Sequence, residues 1–389
     1  WQRGYSFGGG GVPDTATRII GDIINMHSTF SPKGLTPLRR VEIALRGGHA
    51  DRVPFTMYEG HLLQTAAERH MRNRGLCIVN RQSVYAIRHP NVKTTRQEYW
   101  QDGKKFVRTV HETPVGNLSW MHEDAGFTYW VHEKMFKTPE DYKAMLFFVR
   151  DECCWPTYQA VAAAQPHAGE DVIFRASFGS EPLQILISGT MMDMQDFCIQ
   201  WMENRDEILT LYEAIAENRR KVYPIVAASP LMHANYGGNV TPEIIGLETF
   251  EKYYVQHYNE AAEIMHKHGK LIGCHFDANC RLLARAIAAT DLDYIEAFTP
   301  APDTDMTLAE ARQAWPDKVL WLNFPSSVHL RPDREVQAAT VALLDEAGTP
   351  DGLIMGITED IPPGRWQDSC LAIMDGLDSH EQLHPQLYA

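Results

Sequence analysis

The chain has 389 residues, 50 acidic and 36 basic, for a formal charge of −14 at neutral pH. That balance opposes a general nucleic-acid surface or an extended attraction to anionic lipid, and no apolar stretch reaches the ~20 residues that a bilayer-crossing helix needs. At 44% hydrophobic and 22% charged, the composition excludes bulk disorder and suits one large domain or two to three ordinary ones.

Residues 1–36 read as an N-terminal extension, because the glycine run 8–11 and Val12-Pro13 cannot open a regular core element. Four glycines with no preceding strand and no following Lys-Ser or Lys-Thr make a poor phosphate cradle. Thr36-Pro37 then opens a helix from Leu38 to Leu45, with proline in its first turn. Residues 52–58 read as a strand, a helix follows through Leu62 to Ala67, and 76–79 is a second strand. The stretch 80–135 differs in kind. Tyr99 to Gly103 followed by Lys105 to His111 predicts a hairpin with an Asp-Gly turn, and His122 to His132 supplies a further strand. We read it as an antiparallel, aromatic insertion, in which Trp100, Trp120, Tyr129 and Trp130 either roof a flat ligand or pack the insertion down.

Thr138-Pro139-Glu140 opens a helix to Arg150, and a regular alternation follows. Strands are expected at 172–178, 223–228, 271–276, 293–298, 318–323 and 352–358. Helices are expected at 204–219, 243–268, 280–289, 307–314, 332–346 and near 366–376. The strands are short and apolar on both faces, as parallel strands covered by helices are. Eight such units predict an α/β fold, a single (β/α)8 TIM-type barrel over 37–389 that carries the insertion. No Gly-x-Gly-x-x-Gly follows an early strand, which argues against a dinucleotide fold. The seven cysteines, at 77, 153, 154, 198, 274, 280 and 370, include no Cys-x-x-Cys pair and read as thiols of a reduced, cytoplasmic protein.

Such a barrel works at the C-terminal ends of its strands. Read in order, those ends present Glu59, Asn80-Arg81, Phe178, Ser229 with His233 and Asn235, His275 with Asp277, Glu296, Asn323 and Glu359-Asp360. Polar residues after a strand often only cap the next helix, and Ser229 and Asp360 fit that description. His275-x-Asp277 is harder to dismiss, because residues two apart on a strand share a face. Imidazole nitrogen plus carboxylate oxygen suits Zn²⁺ or another divalent metal, with Glu359 and Glu296 available to complete the set. Glu296 is otherwise the carboxylate that orients the histidine. Glu59 is a substrate acceptor, a general acid, or a partner of Arg52 or Arg81. The Tyr236-Gly-Gly-Asn239 segment reads either as a ligand-lining loop or as a plain tight turn. Candidate substrate contacts are therefore Asn80, Arg81, His233, Asn235, Tyr236 and Asn323.

Five segments carry a family resemblance: Arg39-Arg-Val-Glu-Ile-Ala-Leu-Arg-Gly-Gly-His-Ala-Asp-Arg-Val-Pro54, Gly238-Asn-Val-Thr-Pro-Glu243, Lys270-Leu-Ile-Gly-Cys-His275, Asp305-Met-Thr-Leu-Ala-Glu-Ala311 and Ile361-Pro-Pro-Gly364. With them the chain resembles the uroporphyrinogen decarboxylase superfamily from residue 37 onward, closest to its metal-dependent, corrinoid-linked methyltransferases. In the zinc members a His-x-Cys and a later Cys hold the metal. The matching positions here are His275, Asp277 and Glu359, so carboxylates replace both thiolates. The resemblance implies a metal-dependent methyltransferase or demethylase of a small O- or N-methylated compound, with His275, Glu59 and Glu296 as catalytic residues. No Asp-x-His-x-x-Gly segment occurs, so the corrinoid would arrive on a separate protein. True porphyrinogen decarboxylases are basic after the first strand, where this chain has Phe55-Thr-Met-Tyr-Glu59, which would repel a tetra-acid. Two other readings stand beside this one: a metal-assisted decarboxylase or lyase that uses Arg81, Arg88 and Arg175 as carboxylate clamps, and a non-catalytic ligand-binding barrel. Neither nucleic acid nor membrane is expected as a partner, and a homo-oligomer is compatible with the sequence.

Overall fold

The computed structural model describes residues 34–126, 128–238 and 240–389. The N-terminal extension, apart from 34–36, lies outside them, as does Asn239 of the glycine loop. Eight parallel strands close a barrel: β1 (Phe55–Tyr58), β2 (Leu76–Gln82), β3 (Val172–Gly179), β4 (His233–Tyr236), β5 (Leu271–His275), β6 (Tyr294–Phe298), β7 (Val319–Leu322) and β8 (Leu353–Ile357). β1 pairs with β2 on one side and β8 on the other, so no edge is left open.

Strand alternation divides the core in two. Outward residues such as Phe55, Met57, Phe174, Phe178, Ile272, Cys274, Leu320 and Met355 pack under the surrounding helices. Inward residues Tyr58, Cys77, Val79, Ile173, Tyr294, Trp321 and Ile354 fill the barrel. The helix Pro37–Leu45, capped by the Thr36 hydroxyl, closes the end at the strand N-termini with Val41, Ala44 and Leu45. Gly273 in β5 is an inward position left without a side chain. A Cβ there would fall within the ring of Tyr294.

The expected strand at 223–228 is a correction. Tyr223 to Ala228 is the end of the helix Arg205–Ala228, with Pro224 inside it, and the fourth strand is His233–Tyr236. A short buried apolar run cannot be told from a strand by periodicity alone, and Pro224 biases the reading toward extended chain. The true strand escaped because two of its four residues, His233 and Asn235, turn polar side chains into the barrel.

Between β2 and β3 the chain forms antiparallel structure. Lys93–Gln101, Lys104–Thr113, Gly116–Asp124 and Tyr129–Glu133 make one sheet, and Tyr85–Arg88 pairs with Cys153–Pro156 in another. The first hairpin turns on Asp102 and Gly103, both at positive φ, as its Asp-Gly pair predicts. Leu118, Met135, Phe136 and Tyr142 of this region join the hydrophobic layer that surrounds the barrel. Trp100, Tyr129 and Trp130 are exposed, Trp120 is half-buried, and none of the four lines the cavity described below.

Candidate functional site

Two inward charges organise the mouth of the barrel. Arg175 on β3 and Glu296 on β6 are both buried, and Arg175 Nη1 donates to Glu296 Oε1 at 2.7 Å. An isolated charge at such a depth would be very costly, so each requires a partner. Glu296 has four. Oε1 also accepts from the Tyr58 hydroxyl, and Oε2 accepts from Asn235 Nδ2 at 2.8 Å and faces His275 Nδ1 at 2.8 Å. His275 and Glu296 are register partners on adjacent strands, which brings both side chains to one level inside the barrel. Burial opposes the charge on Glu296, but Arg175 and His275 outweigh it and hold the carboxyl well below the usual carboxylate range. Glu296 is thus a saturated anion. Its four partners match the expected alternative in which Glu296 is the carboxylate that orients the histidine.

Its effect falls on His275. With Nδ1 held by Glu296, Nε2 points outward, 3.6 Å from Asp277 Oδ2 and 3.5 Å from Glu359 Oε1. Burial disfavours the charged imidazole, but Glu296 and Asp277 outweigh it and push the pKa up to about 10. Asp277 lies just past the end of β5, and its own burial is likewise outweighed by His275, which keeps it lowered. Burial raises Glu359. Ligand atoms of His275, Asp277 and Glu359 all lie within 4.8 Å of one another. Two donors ~2.0–2.1 Å from a tetrahedral zinc are roughly 3.4 Å apart. The spacing and the donor set therefore fit a divalent cation, with two carboxylates to balance its charge.

His275 and Glu359 border a cavity of about 540 Å³ lined also by Tyr58, Glu59, Arg81, Ser177, Gly237 and Gly238. Glu59 pairs with Arg81 Nε at 3.2 Å, while Arg52 binds Glu381 and Asp378 elsewhere. The Arg81 guanidinium lies 4.0 Å above the Tyr58 ring.

The other expected contacts divide. Asn235 lines the cavity, oriented by Tyr294, whose hydroxyl donates to its Oδ1 at 2.7 Å. His233 is sealed below it against Tyr294, and burial and the nearby Arg175 lower its pKa to about 3. Asn323 does not line this cavity. Its Oδ1 accepts from the backbone of Thr358 at 3.0 Å and Glu359 at 3.3 Å, so it shapes the loop that presents Glu359. Asn80 bonds Gln82, and neither it nor Tyr236 borders the cavity. Tyr236 points outward, stacked on Phe178 and hydrogen-bonded to Tyr223 at 2.8 Å, because strand alternation gives its neighbour Asn235 the inner face.

Sequence reasoning missed Tyr58 and Glu181 as site components and read Arg175 only as a carboxylate clamp for a substrate. Tyr58 and the ionic role of Arg175 carried a signal: an arginine and a glutamate at inward positions of two barrel strands must be paired. Glu181 carried little. It is fully buried behind Gly237, accepts from Tyr258 at 2.6 Å, and is raised by burial. A Cβ on Gly237, at φ 53°, would collide with it.

No protein-family model matches the sequence, and no curated protein does. Among solved structures, the chain is similar to a "methyltransferase from Methanosarcina mazei", with 10% identity and a TM-score of 0.52, over 89% of this chain and 99% of that one. Two structures of the pneumococcal enzyme StrH align at 8% and 9% identity, over 87% and 88% of this chain and 86% and 87% of theirs, with TM-scores of 0.36 and 0.34 that carry no argument. At these identities the first likeness shows the barrel fold and nothing finer.

Proposed function

We propose that the chain is a metal-dependent methyltransferase or demethylase, moving a methyl group from a small O- or N-methylated compound to a corrinoid carried by a separate protein. The observation that carries this reading is the convergence of His275, Asp277 and Glu359 on one point beside a cavity of about 540 Å³ at the barrel mouth. Such a volume takes a small organic molecule. The barrel likeness to a protein described as a methyltransferase agrees with the reading.

His275 Nε2 and the two carboxylates would hold the cation, which supplies Lewis acidity to the heteroatom that bears the methyl group. Glu296 fixes the His275 ring through Nδ1–H, and Nε2 would offer its lone pair once a cation displaces the proton that the surrounding carboxylates hold there. Tyr58, Arg175 and Asn235 keep Glu296 in place. Asn323 fixes the backbone that carries Glu359. Glu59 is the carboxyl that faces the cavity outside the triad, placed to exchange a proton with a bound ligand. A carboxylate-binding lyase is less well supported, since Arg81 and Arg175 are engaged by Glu59 and Glu296, and Arg88 stacks on Trp155.

The test incubates zinc-loaded protein with methylated phenols and amines and a cobalt(I) corrinoid protein. Methylated corrinoid should accumulate, and His275→Ala should slow it by about 100-fold or more. Equal rates in the two proteins would contradict the proposal.

A further inference from the structure

A second group of metal-competent side chains includes none of the cavity residues. The helices Asp333–Ala347 and Trp366–Leu383 pack together, and near their C-terminal ends Asp345, His380 and His384 meet. His380 and His384 are four apart, one turn on the same face, except that His384 already caps the helix. Their rings lie 4.6 Å apart. Both Nε2 atoms turn to the same oxygen, Asp345 Oδ1, at 3.4 Å from His380 and 3.1 Å from His384.

The His380 contact, at 3.4 Å, is outside good N–H···O range. Both distances to Asp345 match the edges of a metal coordination shell, where donors about 2.0–2.1 Å from zinc stand roughly 3.4 Å apart. All three ligand atoms lie within 4.8 Å of one another. His380 is buried at 2% exposure, and its other nitrogen, Nδ1, is 2.6 Å from the Tyr388 hydroxyl. Metal-bound histidines commonly have the free ring nitrogen fixed in this way.

We propose that Asp345, His380 and His384 form a second, structural binding site for a divalent transition metal, zinc by preference, with water completing the shell. Two imidazoles and one carboxylate select zinc-like ions over magnesium or calcium, which prefer all-oxygen shells. Helices that follow barrel strands run away from the mouth, so the C-terminal ends of these two lie at the face where barrels build stability rather than catalysis. The ion fastens the last turn of the final helix, and with it residues 385–389, to the neighbouring helix. It is independent of the cavity triad.

The experiment uses the full chain, stripped with chelator, reloaded with zinc and freed of excess ion. Zinc per chain is then measured for the wild type, His384→Ala, Asp345→Asn and His275→Ala. His384 and Asp345 are partly exposed, so their replacement spares the core. His384→Ala and Asp345→Asn should each bind one zinc fewer than the wild type, and His275→Ala should keep the zinc that they lose. Zinc should raise the wild-type unfolding temperature by a few degrees, and less in those two variants. His384→Cys, which restores a zinc donor, should recover both readouts. If the wild type and both variants hold equal zinc and show equal zinc-dependent stabilisation, or if His384→Cys recovers neither readout, the site is overturned.

Discussion

At the scale of single residues, Glu296 is the centre of the account. It does not line the cavity at the mouth, yet it meets Arg175, Tyr58, Asn235 and His275 at once. Glu296→Gln preserves shape and removes the anion that orients the imidazole. Outer-shell partners of this kind are worth about 10–100-fold in metal affinity, and chelator competition with zinc should show a loss in that range. Unchanged affinity would mean that His275 needs no such support. Arg175→Met leaves Glu296 buried without its cation, which should lower unfolding free energy by ~3–5 kcal/mol in urea titrations. A loss under about 1 kcal/mol would show that Tyr58 and Asn235 satisfy the carboxylate alone.

At the scale of elements, β5 and the β8 loop deliver the ligands. Gly273 lets the Tyr294 ring cross the barrel, so Gly273→Ala should cost about 1–3 kcal/mol or more in thermal unfolding. A neutral result would show that Tyr294 moves freely, and with it Asn235. These elements were unequally legible in the sequence. β5, β6, β7 and β8 announced themselves as apolar runs, and their polar ends, His275 with Asp277, Glu296 and Glu359, are brought together as strand-end reasoning expected. β4 was hidden because His233 and Asn235 are polar on its inner face, while the buried end of the helix Arg205–Ala228 imitated a strand. Asn323 and Tyr236 show the other limit. A strand end predicts that a residue is near the mouth, but the loop clamp at Asn323 depends on its backbone partners, and the outward turn of Tyr236 follows only once the fourth strand is placed at His233–Tyr236.

At the scale of the whole molecule, buried neutral histidines set an acid limit. Burial lowers His257 and His329 to about 4 each, the latter paired with the Ser369 hydroxyl at 2.6 Å. Unfolded histidine titrates near ~6.5, so on acidification the unfolded chain takes up protons that the native state refuses. Their contribution is complete above about pH 6.5 and is lost as pH falls toward 4. By pH 5 each removes roughly 2 kcal/mol of unfolding free energy, and His329→Asn should flatten the pH dependence accordingly. An unaltered slope would mean that this histidine is protonated in the native state.

The barrel, the buried Arg175–Glu296 pair and the loop clamp at Asn323 all converge on one claim, that His275, Asp277 and Glu359 hold a divalent cation. Zinc content by elemental analysis of the reloaded wild type and His275→Ala, with thermal unfolding of both in chelator, tests it most directly. His275→Ala should lose one equivalent of zinc while the chelated proteins unfold within a few degrees of each other. Equal zinc content in the two folded proteins would contradict it.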